Sequence, residues 1–280
     1  MRVTVLGASG FIGRRLTAAL RGRGDDVVAT SVRDPETAAA ASARSDVVVN
    51  LAGAPVSVRW TEGAKRAMRA SRVDATRAYV DALRGVAVRP SAYVAGSAIG
   101  YYGTSTTQTF TEGSPPGDDV LARLCVDWET EAARAAELGM RVSVVRTGVV
   151  LGPEGGVLAK VLPLFRLGLG GPIASGRQWF SWIHMDDEIG VLLHAIDGAD
   201  GVLNGTAPNP VTNAAFTETL ARTVKRPAFL PVPAFAGRAL LGEGAIVLNE
   251  GQRVVPERTV ATGYRFVHAE LGEALRSLLA

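Results

Sequence analysis

Residues 1–22 read MRVTVLGASGFIGRRLTAALRG, and the reading of that stretch decides the fold. Arg2 to Leu6 is a short apolar run of strand length, and Gly7-Ala-Ser-Gly-Phe-Ile-Gly13 comes next without a break. From Arg14 to Arg21 the apolar residues take helical spacing, with Leu16, Ala19 and Leu20 on one face. Strand, glycine turn and helix, in that order, are the context in which a glycine motif binds a dinucleotide. Gly7 permits the tight turn, Gly10 lets a pyrophosphate approach the backbone, and Gly13 lets the helix pack against the strand. The amides that open the helix then face the phosphates. A glycine turn without a ligand would look the same locally, so the choice rests on the second strand and the strands beyond it.

That second strand, Val27 to Val32, selects the dinucleotide. An acid at its tip would accept hydrogen bonds from the adenosine ribose and favour NAD. This strand runs out through Thr30-Ser31-Val32-Arg33 with no acid at the tip. A guanidinium at Arg33 can pair with a 2′-phosphate, and Ser31 can hydrogen-bond it. NADP(H) is therefore the expected cofactor; a solvated strand end is the plainer alternative for Arg33. Asp34 comes next, but Pro35 turns the chain away. Pro35 to Arg44 reads as an Ala-rich helix, and Asp46 to Leu51 as a strand buried on both faces. So short a connection predicts that a usual third strand is missing. Asn50-Leu-Ala-Gly53 then ends at the same edge as the glycine turn.

Thr61 to Leu83 has the pattern of one long helix, with Lys65, Arg69 and Arg72 in a stripe that reads by default as a solvated basic face. Ala92 to Ser97 is a further parallel strand, and Ser97 at its carboxyl end is placed to bind a substrate oxygen. Val120 to Leu138 reads as the next helix and Arg141 to Val150 as a sixth strand. The alternation predicts an α/β fold, a Rossmann-type doubly wound parallel sheet. After residue 153 the pattern changes to an apolar helix, a glycine-rich loop over 168–179 and an aromatic strand. Met185 to Ile196 and Gly201 to Ala207 read as a helix and strand that return to the sheet. The expected organisation is a nucleotide-binding domain over 1–153, joined by 184–207, and a smaller α+β lobe from 154–183 and 208–280.

The bulk numbers exclude several functions. The 280 residues carry a net charge of +3, with lysine only at 65, 160 and 225. There is no long basic run of the kind that binds nucleic acid. One cysteine excludes an intramolecular disulfide, and His184, His194 and His268 are too scattered in sequence to suggest a metal. No apolar run reaches the roughly 18 residues of a membrane span, and no signal peptide is visible. The expected setting is the cytoplasm, the expected partner a small-molecule substrate, and a homodimer is compatible with this. In the loop over 168–179, glycine amides together with Arg177, Gln178 and Trp179 offer a substrate-binding surface, and structural turns would use the same glycines. His184 is a candidate for proton transfer, or else part of a helix start with Asp186 and Asp187.

Eight stretches carry a resemblance. They are NLAG (50–53), SRVDATR (71–77), GSAIGYYG (96–103), RTGVVLG (146–152), FRLGLGGPIASGRQ (165–178), WIHMDD (182–187), LNGTAPNPVTNAAF (203–216) and GQRVVPERTVATGY (251–264). In this order the chain resembles the extended and atypical short-chain dehydrogenase/reductases. More narrowly, it is similar to their "epimerase family protein" branch, whose members bind NADP. The resemblance implies cofactor contacts from Gly7, Gly10, Phe11, Ile12 and Gly13, from Val32 and Arg33, from Leu51 and Ala52, from Arg72 and from Val150. It also turns Arg72 inward from the basic stripe. Relatives usually carry Ser or Thr at Val32, so one phosphate hydrogen bond is lost here.

Ordinary members of that superfamily use a Tyr and, four residues on, a Lys that lowers its pKa. None of Tyr79, Tyr93, Tyr101, Tyr102 and Tyr264 has Lys at that spacing. At the approximate positions stand Cys125, read as an inert buried thiol, and Glu129, read as the partner of an arginine. Ser97 with Tyr101 or Tyr102 would then polarise the substrate oxygen of an oxidoreductase or epimerase-like enzyme acting on a small carbonyl or hydroxyl compound. The rival expectation is a non-catalytic NADP-binding regulator, because some relatives are labelled cell-division inhibitor-like.

Overall fold

In the computed structural model, which describes all 280 residues, the first half alternates strand and helix. The elements are β1 (Arg2–Leu6), α1 (Phe11–Gly22), β2 (Asp26–Thr30), α2 (Pro35–Ala41), β3 (Val47–Asn50), α3 (Glu62–Arg69), α4 (Ala75–Leu83), β4 (Ala92–Ala98), β5 (Thr109–Phe110), α5 (Val120–Ala133) and β6 (Arg141–Thr147). The second half is more broken. It contains β7 (Val149–Gly152), α6 (Gly156–Arg166), β8 (Trp179–Phe180), β9 (Trp182–His184), α7 (Met185–Ile196), β10 (Gly201–Gly205), β11 (Val211–Thr212), α8 (Asn213–Val224), α9 (Ala234–Leu241), α10 (Ile246–Asn249), β12 (Arg253–Val254), α11 (Glu257–Ala261) and α12 (Leu271–Leu279).

Six strands form one parallel sheet in the order β10-β6-β4-β3-β1-β2. Strand β2 is its edge, so the strand expected to be missing is indeed absent. Alternation along each strand buries both faces. Val3, Val5, Val47, Val49 and Val94 meet Leu16 and Leu20 of α1 and Leu192 of α7. Leu6, Val48, Tyr93 and Ala95 meet Ala38, Tyr79, Leu83 and Ala132 on the other side. A third cluster joins Leu158 and Phe165 of α6, Phe216 and Leu220 of α8, and Leu275 of α12 into a second lobe.

Three local features differ from the sequence expectation. The long helix is interrupted at Ala70–Asp74 by a π-helical turn, a feature that often marks functional positions. The sixth strand stops at Thr147, because Gly148 passes within a side chain's width of Ser181 and Gly205. A Cβ there would lie 2.6 Å from the Ser181 carbonyl oxygen. Beyond it β7 leaves the main sheet and pairs with β9 instead. Within 208–280, residues 253–268 also leave the lobe. Strand β12 pairs with β5, and Tyr264 and Phe266 pack on the α1/α7 face of the main sheet.

Asp187 and Glu112 anchor that returning segment. The buried Asp187 carboxylate accepts from the Tyr264 hydroxyl at 3.0 Å and from the backbone amides of Val267 and His268 at 2.8 Å. Glu112 accepts from the backbone amides of Asn204, Arg258 and Thr259 and from the Thr259 hydroxyl. A carboxylate that gathers several amides can hold a loop in one geometry.

Candidate functional site

The glycine turn sits where the tips of β1 and β3 meet the start of α1. Gly7 has φ +82°, a left-handed conformation that glycine adopts without strain. A Cβ on Gly13 would lie 2.2 Å from the Gly7 carbonyl oxygen, so no larger residue fits between turn and helix. Gly10 caps α1 without any side-chain hydrogen bond, and no acid occupies the first turn. The amides of Phe11, Ile12 and Gly13 find no acceptor within the chain. Unspent donors at the positive end of a helix suit an anion. Of the two side chains beside them, Phe11 lies against Gly152, Gly155 and Gly156, while Ile12 packs on the α1/α7 face.

The β3 tip forms the opposite wall. Asn50 fixes it: its amide donates to Thr76 and Tyr93, and its carbonyl oxygen accepts from the Ala52 amide at 3.1 Å. Leu51 and Ala52 are thereby held against Gly7, where a Cβ would come within 2.9 Å of the Ala52 nitrogen. Arg72 reaches this wall from the π-helical turn. Its Nη1 donates to the Ala54 carbonyl at 2.9 Å, and its guanidinium lies 5.3 Å from the Trp128 ring centre. Gly53 makes room, since a Cβ there would stand 2.8 Å from the guanidinium carbon. Burial lowers the Arg72 pKa, and no carboxylate pairs with it. The rest of the basic stripe is neutralised outside, Lys65 by Glu62 and Glu243 and Arg69 by Asp127.

At the β2 tip, Asp34 is spent. It caps α2 through the Thr37 amide at 3.1 Å and the Thr37 hydroxyl at 2.7 Å. Arg33 is exposed, and its guanidinium makes no hydrogen bond or ion pair in the chain. Val32 is buried among Leu6, Ala39 and Tyr79, so only its backbone can meet a ligand. Val150 is likewise buried, paired with Ile183 across β7 and β9.

The proton-handling candidates do not converge as the sequence suggested. Tyr93, Ala95 and Ser97 share one face of β4, the face toward α4 and α5. The Ser97 hydroxyl accordingly donates to Glu129 at 2.6 Å. Glu129 also accepts from Arg146 Nε at 2.9 Å and Nη2 at 2.8 Å. Burial pulls the Arg146 pKa down, but the hydrogen bonds and charge of Glu129 outweigh it and the net shift is upward. Tyr102 is a correction: it is buried with Ile99, Phe110 and Val254. Its hydroxyl donates to Asn204 at 2.7 Å and accepts from Arg146 at 3.0 Å. Burial pushes its pKa up to about 12 despite the Arg146 charge. Tyr101 is different. Its ring covers the Arg146 guanidinium at 3.3 Å, it is half-buried, and its hydroxyl has no partner in the chain.

Helix α5 turns Leu121 and Cys125, four residues apart, toward the backbone at Ala98 and Gly100. Glu129 lies a turn further along, in the Arg146 pair. The helix positions facing the end of β4 therefore carry an aliphatic side chain and a thiol. Burial, reinforced by Glu129, raises that thiol's pKa to about 12. A neutral thiol with so high a pKa neither attacks nor donates readily.

Three of the four substrate candidates act as staples. Gln178 is buried, and its amide donates to the carbonyls of Ile173 and Leu248. Trp179 donates to the Thr106 carbonyl at 3.0 Å and lies beneath Arg253. His184 caps α7 by accepting the Asp186 amide at Nδ1, 3.0 Å away, and stacks on His268 at 3.7 Å. Burial, then the neighbouring His268, lowers the His184 pKa. Two histidines distant in sequence are thus adjacent in space. Only Arg177 is exposed and unpaired.

Residues 3–209 match the NAD dependent epimerase/dehydratase family, and residues 232–278 match a domain of unknown function, DUF1731. The chain is 43% identical to the epimerase family protein SDR39U1 of Homo sapiens, over the whole of both chains. It is 42% identical to a chloroplastic SDR39U1 homolog of Arabidopsis thaliana, covering all of this chain and 87% of that one. The crystal structure of human SDR39U1 isoform 2 with NADPH superposes with a TM-score of 0.93 at 41% identity, covering 99% of each chain. The resemblance carried by the sequence motifs and the Rossmann-type fold are both borne out. No helix is long and apolar enough to cross a membrane.

Proposed function

The chain belongs to the NAD dependent epimerase/dehydratase family, and from that premise we propose that it binds NADP(H) in the crevice between the glycine turn and the β3 tip. The observation that carries this is the β2 tip, where Asp34 is spent on a helix cap and Arg33 is left unpaired. A ribose-binding carboxylate is missing there, and a free guanidinium stands where a 2′-phosphate needs one. The unspent amides of α1 fit the pyrophosphate, and the carboxylate-free Arg72 gives the opposite wall a cation. The human relative crystallised with NADPH supports the same cofactor.

With the cofactor bound, NADP(H) supplies or accepts a hydride, and the chain acts as an oxidoreductase or epimerase-like enzyme on a small carbonyl or hydroxyl compound. Tyr101 is the proton donor or acceptor, because its hydroxyl alone among the three candidates is uncommitted. Arg146 beneath its ring holds the ring in place by a cation–π contact. Ser97, Glu129 and Arg146 hold that ring's platform rather than touching substrate.

A second reading is a regulator that binds NADP(H) without turnover. The face of α5 that carries Leu121 and Cys125 in place of titrating groups favours it. The two are separated by NADPH deuterated at the transferable position and incubated with the protein and a metabolite extract. Deuterium in a metabolite supports the enzyme. Retention on the cofactor, together with an unchanged pool of carbonyl and hydroxyl isomers, supports the regulator.

A further inference from the structure

The helix beside the β3 wall is widened at one place. Between α3 and α4, Ala70–Asp74 forms the π-helical turn, a departure from regular helix that is frequent at functional sites. Ser71 and Arg72 belong to that turn, and both reach Ala54, just past Ala52 on the wall. The Ala54 amide donates to the Ser71 hydroxyl at 2.9 Å, and Arg72 Nη1 donates to the Ala54 carbonyl, also at 2.9 Å. On a regular helix, side chains at adjacent positions do not face the same neighbour. Here they clasp one residue by its N–H and its C=O.

The Ser71 hydroxyl has both its roles fixed. It donates to the Met68 carbonyl at 3.1 Å, one turn back along α3, so toward Ala54 it can only accept. Met68 is buried, which anchors that end of the link in the core. On the other side of Gly53 the wall is held by a different hydroxyl. The Ala52 amide donates to Asn50 Oδ1, and the Asn50 amide nitrogen donates to the Thr76 hydroxyl at 3.1 Å. Trp128 Nε1 donates to that same hydroxyl at 3.1 Å, and the Trp128 ring faces the Arg72 guanidinium. Ala52 and Ala54 are thus fixed from one helical stretch, residues 71–76, with Gly53 exposed between them. Unpinning Ala54 would release Arg72 as well, because both contacts fall on that one residue.

We propose that Ser71 is a positioning residue for the dinucleotide. It acts through Ala54: by tying the π-helical turn to the β3 wall, it fixes both the wall and the direction in which Arg72 offers its remaining N–H groups. This rests on the crevice being the NADP(H) site. The wall lies against the glycine turn, where a Cβ on Gly7 would come within 2.9 Å of the Ala52 nitrogen, and not at the β2 tip that carries Arg33. Ser71 therefore serves the part of the cofactor common to NADP(H) and NAD(H). Losing its hydroxyl leaves the Ala54 amide and the Met68 carbonyl without this partner and weakens binding of either nucleotide by about tenfold.

The test is fluorescence titration of the full chain with NADPH and with NADH, in the wild type, S71A, S71T and T61A. T61A removes the hydroxyl that caps the far end of α3, 3.1 Å from the Ala64 amide, and so loosens the same helix without touching residues 51–54. The expected result is a loss of about tenfold in S71A for both nucleotides, recovery in S71T, which keeps the hydroxyl, and unchanged affinity in T61A. A loss confined to NADPH, a loss as large in S71T, or a matching loss in T61A would overturn the proposal. Hydrogen exchange gives a reading that needs no variant. The half-buried Ala54 amide should exchange slowly in the wild type, and exchange at the rate of an unstructured amide would also overturn the proposal. A wild type that binds neither nucleotide overturns the cofactor reading and this proposal with it, whereas equal binding by wild type and S71A overturns the proposal alone.

Discussion

Glu129 on α5 accepts two hydrogen bonds from Arg146 on β6 and a third from Ser97 on β4, all between 2.6 and 2.9 Å. This arrangement occupies the space beneath Tyr101. It neutralises the Glu129 carboxylate near the end of β4 and commits the serine hydroxyl. Its strength comes from planar, charge-assisted geometry in a nearly dry setting, with 4% of the Arg146 side chain exposed.

Breaking that pair from one side should be costly. Glu129→Ala strands a buried guanidinium, and losses of this kind run to about 3–5 kcal/mol. Urea unfolding should show that loss, and a double variant, Glu129→Leu with Arg146→Met, should recover much of it. Equal stability of the single variant and the wild type would mean that solvent reaches Arg146.

Tyr101 and Tyr102 should separate cleanly. Tyr102→Phe leaves the buried Asn204 Oδ1 and one Arg146 N–H without partners, and should destabilise by about 1–3 kcal/mol. Tyr101→Phe removes a hydroxyl with no partner, so its stability should be unchanged while hydride transfer falls about a hundredfold or more. Thermal unfolding and deuterium transfer, measured on both variants, check the split.

Arg72→Met should move stability and binding in opposite directions. Burial already lowers the Arg72 pKa with no carboxylate to offset it, so replacing the charge should leave stability equal or higher. NADPH affinity should fall about tenfold, as befits the loss of one charge-assisted contact. Loss of stability with unchanged affinity would make Arg72 a purely structural residue.

Glu188 gives a pH dependence. It is fully buried, its only hydrogen-bond partner is the Thr147 hydroxyl at 2.7 Å, and burial raises its pKa from 4.5 to about 7. The native state therefore holds a proton that the unfolded chain has lost between those values. Stability falls as pH rises through that window and levels off above it, a change on the order of 3 kcal/mol. Glu188→Gln should flatten the profile between pH 4.5 and 7. A wild-type profile that is already flat there would show that Glu188 does not carry this proton.

Much of the nucleotide-binding half was legible because its signals are local. Glycine turn, strand alternation and the Pro35 break each sit within a few residues, and Asp34 turns from the cofactor side as Pro35 suggests. The reading of Glu129 as an arginine's partner holds, and Cys125 is buried and inert as expected. Arg146 belongs to no catalytic motif, although strand parity points to it: Val144 and Arg146 lie on the face of β6 that looks toward α5, as Ser97 does on β4. Tyr102, Gln178 and Trp179, candidates for a ligand from the sequence, are committed within the fold, and His184 takes the helix-start role that was the alternative for it. Each is held by a partner distant along the chain: Asn204, Leu248, Thr106 and His268 respectively. No local pattern reveals such pairings. The return of residues 253–268 to the main sheet is hidden for the same reason, since its anchors, Glu112 and Asp187, sit far from it in sequence.

The most direct test of the cofactor assignment is a pair of fluorescence titrations, NADPH and NADH, on the wild type and on Arg33→Ala. The wild type should bind NADPH at least tenfold more tightly, and Arg33→Ala should lose most of that difference by weakening NADPH alone. Equal affinities in the wild type, or equal losses in the variant, would contradict the assignment of the β2 tip as a 2′-phosphate site.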